Sequence, residues 1–186
     1  MKKLMKFSSA VLVLASVFVS SSSLARSNNS FEAYVPKGHE VVKSIEADVN
    51  SDGLLDILLI TQPATDKRAN RLFQILNSTG KGYKVYQNTE LIPCEKCGGP
   101  SEEPTLREIT ISRSAFSVKI YYGGIRNGFL KTFDFRYASK HRNWYLQRVD
   151  SEVFDRLKNE GKTQVQQKKY TAYRKDTRFE KVNKYR

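Results

Sequence analysis

The sequence contains very few of the residues that most often carry catalysis or bind transition metals. Its 186 residues include two histidines, His39 and His141, and two cysteines, Cys94 and Cys97. The histidines are not spaced as a pair, so a zinc site would lack half of its usual four ligands. No nucleophile elbow, His-rich metal motif or phosphate-cradling Gly loop is present. We therefore expect a protein without catalytic activity.

After residue 25, the chain also lacks an apolar run long enough to cross a membrane. At the N-terminus, three lysines precede an apolar stretch over residues 9–19 and the small-x-small sequence Ser23-Leu24-Ala25. This order is typical of a bacterial secretory signal peptide over residues 1–25, with an uncleaved membrane anchor as the alternative. No cysteine at the cleavage site could be acylated, which excludes a lipoprotein. We expect a periplasmic or secreted protein that begins near Arg26.

The net charge of +13 suggests an anionic partner, but the charge is unevenly placed along the chain. Residues 156–186 contain eleven basic and three acidic residues, whereas residues 26–155 have a balance of only +2. We therefore divide the chain into a signal peptide, a nearly neutral β-domain over 26–155 and a basic C-terminal segment over 156–186.

The basic C-terminal segment alternates bases with aromatic residues, and part of it could add a strand to a sheet. We expect it to offer a cationic surface to an unknown protein or to an anionic envelope component. Nucleic acid is excluded by export, and a solvated, frayed terminus is the alternative. The candidate residues are Lys168, Lys169, Arg174, Lys175 and Arg178.

The β-domain is expected to be mainly β, an antiparallel meander or sandwich with one short helix near the C-terminus. Phe116, Val118 and Ile120 alternate with polar residues, which is the period of a half-buried strand. Leu54–Ile60 is apolar except for one aspartate and predicts a strand buried on both faces. Short strands separated by Gly and Asn turns favour such a fold. An apolar stripe predicts the helix over Ser151–Gly161.

One motif carries chemistry, the pattern D-x-N-x-D-G-x-x-D over residues 48–56. Side-chain oxygens at alternate positions can converge on one cation, and the glycine permits the sharp turn. A backbone carbonyl at the seventh position adds a ligand, and the ninth coordinates directly or through water. The spacing predicts a calcium site, with an Asx-rich turn as the metal-free alternative. The predicted ligands are Asp48, Asn50, Asp52, Leu54 and Asp56.

An EF-hand is excluded because Leu59 stands where a bidentate glutamate is required, and the following segment is β-rich. The stretch Ala47–Ile60 resembles instead the calcium loop of FG-GAP/VCBS-type repeats. That resemblance covers a single copy, as in small secreted bacterial proteins of unassigned function. It implies a loop that joins two strands and binds calcium through aspartate and asparagine side chains, and it implies no activity.

Cys94-Glu95-Lys96-Cys97 is a C-x-x-C sequence, for which an oxidising compartment predicts a disulfide. Thiol-disulfide redox activity would need a helix start that activates a thiolate. Since Gly98-Gly99-Pro100 follows at once, we expect no helix there and a disulfide that pins a surface loop.

Together these features predict an exported, calcium-stabilised binding or interaction module without catalysis. The alternative is a periplasmic inhibitor or immunity-type protein that blocks a toxin or hydrolase. A thiol-disulfide redox protein that uses Cys94 and Cys97 is a further alternative.

Overall fold

A computed structural model describes residues 30–100, 104–155, 166–170 and 178–179 of the chain. The signal peptide predicted over residues 1–25 lies outside the described residues. Within the described residues, no helix has both the length and the apolar character that a membrane span requires.

The chain folds into two antiparallel sheets, each with its strands in sequence order, so both are meanders. The strands of sheet A are β1 (His39–Ala47), β2 (Asp56–Pro63), β3 (Arg71–Ser78) and β4 (Tyr83–Ile92). The strands of sheet B are β5 (Leu106–Ser112), β6 (Ala115–Gly123), β7 (Asn127–Ala138), β8 (Asn143–Asp155) and β9 (Gln166–Tyr170). Three short 3₁₀ turns complete the described elements, at Phe31–Tyr34, Glu95–Gly98 and Ser139–His141.

The core lies between the inner faces of the two sheets and is rich in aromatic rings. Phe73 of sheet A packs edge-on against Phe116 of sheet B, with ring centroids 5.7 Å apart. Phe116, Val118 and Ile120 are all buried in this cluster, which confirms the period-two prediction for β6. The mainly β fold expected from the sequence is therefore confirmed.

Strand β2 is buried on both faces, as predicted. Leu58 and Ile60 face the central core, whereas Ile57 and Leu59 belong to a second cluster on the outer face of sheet A. The N-terminal 3₁₀ turn Phe31–Tyr34 covers that outer cluster. The buried run is nevertheless shorter than predicted, because β2 begins at Asp56 and the two preceding leucines are exposed.

The helix predicted over Ser151–Gly161 is wrong for the residues that the structure describes. Residues 151–155 continue β8 and pair with β7, with Phe129 opposite Val153. Val153 therefore takes part in a sheet ladder that a local apolar pattern does not reveal. Residues 156–161 lie outside the described residues.

Two parts of the basic C-terminal segment contact the β-domain. Strand β9 pairs with β8, and Lys169 stands opposite Asp150 in the register. Farther along, Phe179 is fully buried between Phe73, Phe116 and Phe135, with ring centroids 5.1 to 6.0 Å away. A residue of the segment thus completes the aromatic core.

The connections between strands lie at two opposite ends of the sandwich. The acidic-loop end holds the β1–β2 loop (residues 48–55) and the turns 79–82, 113–114 and 139–142. The disulfide end holds the β6–β7 turn (124–126) and the β4–β5 connection with its two cysteines.

Candidate functional site

The candidate site is the acidic loop, residues 48–56, which joins β1 to β2. Its side-chain oxygens bind the backbone of the loop itself. Asp48 accepts hydrogen bonds from the N–H groups of Asp52 and Gly53 at 3.1 and 3.0 Å. Asn50 accepts from the N–H of Asp52 at 2.9 Å, and Asp52 accepts from that of Leu54 at 2.9 Å. These bonds close the chain into a tight curl.

The curl requires two residues in the left-handed region of backbone space. Ser51 has φ +63°, which is uncommon for a residue with a Cβ. Gly53 has φ +86°, and its position explains why the sixth residue of the motif is glycine. The sequence expectation of a sharp turn at this glycine is confirmed.

Asp56 differs from the other acidic residues of the loop because its side chain is completely buried. Its Oδ1 accepts a hydrogen bond from the backbone N–H of Ser78 at 2.9 Å. Its Oδ2 is buried and has no hydrogen-bond partner among the described residues. A buried carboxylate oxygen without a partner is costly, so this atom requires an explanation.

Burial raises the pKa of the Asp56 carboxyl from 3.8 to about 6, and the negative charges of Asp52 and Asp48 add to this effect. Backbone N–H groups of Ser78 and Val49 oppose it only in part. The loop therefore places a buried acid within the field of two other carboxylates. A cation among these groups would remove the repulsion and favour the ionised form.

The residues of the acidic loop fit a calcium ion in donor type. Carboxylate, amide and carbonyl oxygens are the ligands that calcium prefers, and each oxygen that accepts one N–H keeps a second lone pair. Asp48, Asn50, Asp52, Asp56 and the Leu54 carbonyl would hold the ion. Among the described residues, however, no three His, Cys, Asp or Glu side chains already converge as a metal-binding group.

The metal-free alternative, an Asx-rich turn, accounts for part of this geometry. Asn50 and Asp52 each bind the N–H two residues ahead, which is the Asx-turn arrangement. A turn of this kind does not account for Asp56, whose free oxygen is buried beyond the curl. Asp66 forms a simple Asx turn with the N–H of Arg68 at 2.9 Å, and its side chain is exposed.

Tertiary partners of the acidic loop could not be read from the motif. Ser51 Oγ accepts a hydrogen bond from Ser114 Oγ at 2.8 Å, which links the loop to sheet B. Ser78 is likewise a backbone partner from the β3–β4 hairpin. The pairing of distant strands creates both contacts, and no local sequence signal indicates them.

At the opposite end, Cys94 and Cys97 form the predicted disulfide. Cys94 is buried, whereas Cys97 is exposed. The expectation that no helix starts here is corrected, because the 3₁₀ turn Glu95–Gly98 follows Cys94 directly. One turn of four residues lacks the aligned peptide dipoles of an α-helix that lower a thiol pKa.

The disulfide loop is held by polar and backbone contacts. Thr105 Oγ1 donates to the carbonyl of Cys94 at 2.9 Å. Arg71, itself buried, reaches Glu95 at 3.5 Å, and burial lowers the pKa of its guanidinium while Glu95 opposes this shift. A Cβ on Gly99 would lie 1.6 Å from the carbonyl oxygen of Gly123. The two backbones therefore touch, and only glycine fits at this contact.

The predicted cationic surface is only partly described. Lys168 and Lys169 belong to β9, and Arg178 is exposed and bridges to Tyr145 of β8. Arg174 and Lys175 lie outside the described residues. The structure thus brings Arg178 to the body of the protein beside the buried Phe179.

A second candidate is a depression of about 420 Å³ on the outer face of sheet B. Its polar groups bind one another: Ser117 Oγ donates to Asp134 at 2.7 Å, and Arg148 pairs with both Asp134 and Asp150. Neither histidine lines it, since His39 contacts Thr61 and His141 lies against Tyr145. Ser117 therefore has no imidazole base beside it, and the depression lacks a serine–histidine arrangement.

Comparisons with known proteins assign this chain to no family. No family model matches the chain, and neither the curated proteins nor the solved structures contain a significant match. The resemblance to FG-GAP/VCBS-type repeats therefore rests on the loop residues alone.

Proposed function

We propose that the protein is an exported β-domain that binds calcium in the acidic loop and acts as a binding or interaction module without catalysis. Calcium would fix the β1–β2 connection and with it the surface of the acidic-loop end. Export is part of the proposal and rests on the signal-peptide pattern of residues 1–25.

The observation that carries the proposal is the buried Oδ2 of Asp56, which has no hydrogen-bond partner among the described residues. This atom lies at the end of a curl that contains two further carboxylates and an amide oxygen. Hydrogen bonds inside the curl satisfy the backbone of the loop, and the Ser78 N–H binds Oδ1 of Asp56, but Oδ2 stays buried without a partner. A divalent cation with oxygen preference supplies the missing charge.

The test is the thermal stability of the purified protein in calcium and in chelator. Binding to the folded state alone stabilises by about 2.7 kcal/mol when calcium exceeds the dissociation constant about a hundredfold. For a chain of this size, that corresponds to a rise in melting temperature of roughly 5–10 °C. The same ionic strength of magnesium serves as the salt control.

Two variants make the test specific. Asp52→Ala is expected to lose the calcium response, since it removes a predicted ligand from the curl. Asp66→Ala is the matched control, because Asp66 also caps an exposed Asx turn but has no carboxylate neighbour in a loop of this kind. A melting temperature unaffected by calcium, or an equal response in wild type and Asp52→Ala, would refute calcium binding.

A further inference from the structure

Four hairpin connections meet at the acidic-loop end and form one surface. The acidic loop touches the β3–β4 hairpin through Asp56 and Ser78, and it touches the β5–β6 turn through Ser51 and Ser114. The β5–β6 turn also contacts the end of β7, because the Tyr137 N–H donates to the Ser114 carbonyl at 2.9 Å. These contacts between neighbouring turns therefore link sheet A to sheet B at this end of the sandwich.

Two adjacent leucines are exposed on this surface. Leu54 is 39% exposed and Leu55 is 56% exposed, although β2 begins at the very next residue and is buried. The curl fixes the backbone at Leu54, whose N–H donates to Asp52. The two leucines thus place apolar side chains next to each other at the surface of a loop whose backbone is held by hydrogen bonds.

The other three turns at this end contain four basic residues. They present Lys81, Arg113, Lys140 and Arg142, all of which are exposed. Against the carboxylates of Asp48 and Asp52, the four connections have a net charge of +2, and a bound divalent cation would raise it to +4.

Ion pairs occupy some of the basic residues outside these three turns. Toward the disulfide end, Arg126 pairs with Asp155 and Arg71 with Glu95. Across the part of the chain that the structure describes, none of the four turn cations forms an ion pair. They remain available to an anionic partner.

We propose that the acidic-loop end docks on an anionic lipid bilayer. Leu54 and Leu55 enter the headgroup region, and the basic side chains of the three turns contact lipid phosphates. Exposed apolar side chains at an end that also presents exposed cations suit this partner, because insertion and electrostatic attraction act together at a charged bilayer. The inference deepens the proposed function and rests on it, since a bound cation would cancel the acidic charge of the loop.

The test is co-sedimentation of the purified protein with vesicles of phosphatidylcholine, with and without phosphatidylglycerol, in calcium or in chelator. We expect binding only to the phosphatidylglycerol vesicles, at least tenfold weaker in chelator and weakened by salt. The double variant Leu54→Ser/Leu55→Ser should bind at least tenfold more weakly. Ile125→Ser is the matched control, since Ile125 is 79% exposed at the disulfide end, and it should bind within twofold of wild type.

The charge contribution is tested by Lys140→Glu/Arg142→Glu, which should also lose at least tenfold in binding. Binding that survives the leucine substitutions, or is lost equally in Ile125→Ser, would overturn the docking surface. Self-association that the leucine variant loses would assign the leucines to a contact between copies and also overturn it.

The thermal response to calcium, measured on the same variants, separates the two proposals. A calcium-dependent melting temperature without vesicle binding refutes docking and leaves the calcium site in place. Vesicle binding that is independent of calcium, with an unchanged melting temperature, refutes both the calcium site and the calcium dependence of docking.

Discussion

The connections at the two ends of the sandwich are held in place by different kinds of interaction. At the disulfide end, a covalent bond and a contact between the backbones of Gly99 and Gly123 hold the β4–β5 connection. At the acidic-loop end, hydrogen bonds curl the β1–β2 loop around carboxylates, and Asp56 remains buried with one unpaired oxygen. The first end is closed by a covalent bond, whereas at the second a buried carboxylate oxygen has no hydrogen-bond partner among the described residues.

This difference assigns different roles to the two ends. A satisfied, covalently closed end contributes stability under all conditions in which the disulfide persists. An end with an uncompensated buried acid has a stability that depends on pH and on cations. The contribution of the acidic-loop end to stability is therefore expected to change with pH and with cation concentration, whereas that of the disulfide end is not.

The largest effect is expected from alanine at two matched glycines, Gly99 and Gly53. Both have positive φ, +92° and +86°, and Gly99 also has ψ −167°, a backbone region that essentially only glycine adopts. A Cβ at Gly53 meets nothing within 4 Å, whereas one at Gly99 lies 1.6 Å from a backbone oxygen. We expect Gly99→Ala to lower the free energy of unfolding by about 4 kcal/mol or more, measured by denaturant titration.

Gly53→Ala should lower the free energy of unfolding by only about 1–2 kcal/mol in the same titration. Equal losses for the two variants would mean that the backbone contact at the disulfide end adds nothing to the strain of the turn.

The next effect is a pH dependence that arises from Asp56 in chelator. Its pKa is raised from 3.8 to about 6, so the folded state holds this proton more tightly than the unfolded state. Stability is therefore greatest below pH 4 with respect to this group and falls as the pH rises to 6 and above. The loss is at most about 3 kcal/mol, read from denaturant titrations across this pH range.

Asp56→Asn is the control for this pH dependence, because the amide does not ionise. The difference between wild type and the variant isolates the contribution of Asp56 from that of other carboxyl groups. A difference that stays constant from pH 4 to 7 would contradict the raised pKa. If calcium binds as proposed, it should reduce the loss in wild type and leave Asp56→Asn unchanged.

An effect smaller than the upper bound for Asp56 is expected from removal of the disulfide by Cys94→Ala/Cys97→Ala. Because the bond closes a loop of only a few residues, the chain-entropy estimate is about 2 kcal/mol of unfolding free energy. The melting-temperature shift caused by calcium should be the same in this variant and in wild type. A reduced shift would show that the two ends are energetically coupled and do not contribute to stability independently.

Much of the fold followed from the sequence because strand periodicity is local. The alternation of Phe116, Val118 and Ile120 predicted a half-buried strand, and all three residues are in the core. The helix expected over Ser151–Gly161 was wrong for residues 151–155, since pairing with β7 extends β8 through them. An apolar stripe of a few residues suits a helix or a strand, and the neighbouring strand decided between them.

The candidate site, too, was predicted only in part from the sequence. The motif located the curl and its glycine, but it assigned Asp56 and Leu54 to a common ligand set without indicating that one is buried and the other exposed. Nor did the basic C-terminal segment reveal that Phe179 enters the aromatic core. Burial depends on which strands stack on which, and that information is absent from any short stretch of sequence.

By itself, the sequence determined several of the strand-forming segments, the turn at Gly53, the pairing of two cysteines three positions apart and the uneven placement of charge. Spacing and local chemistry are sufficient for each of these features. Only the tertiary structure decided that Asp56 is buried without a full set of partners and that two exposed leucines and four exposed cations lie in connections at one end. Those properties arise from long-range strand pairing, which alone sets desolvation and brings distant turns together.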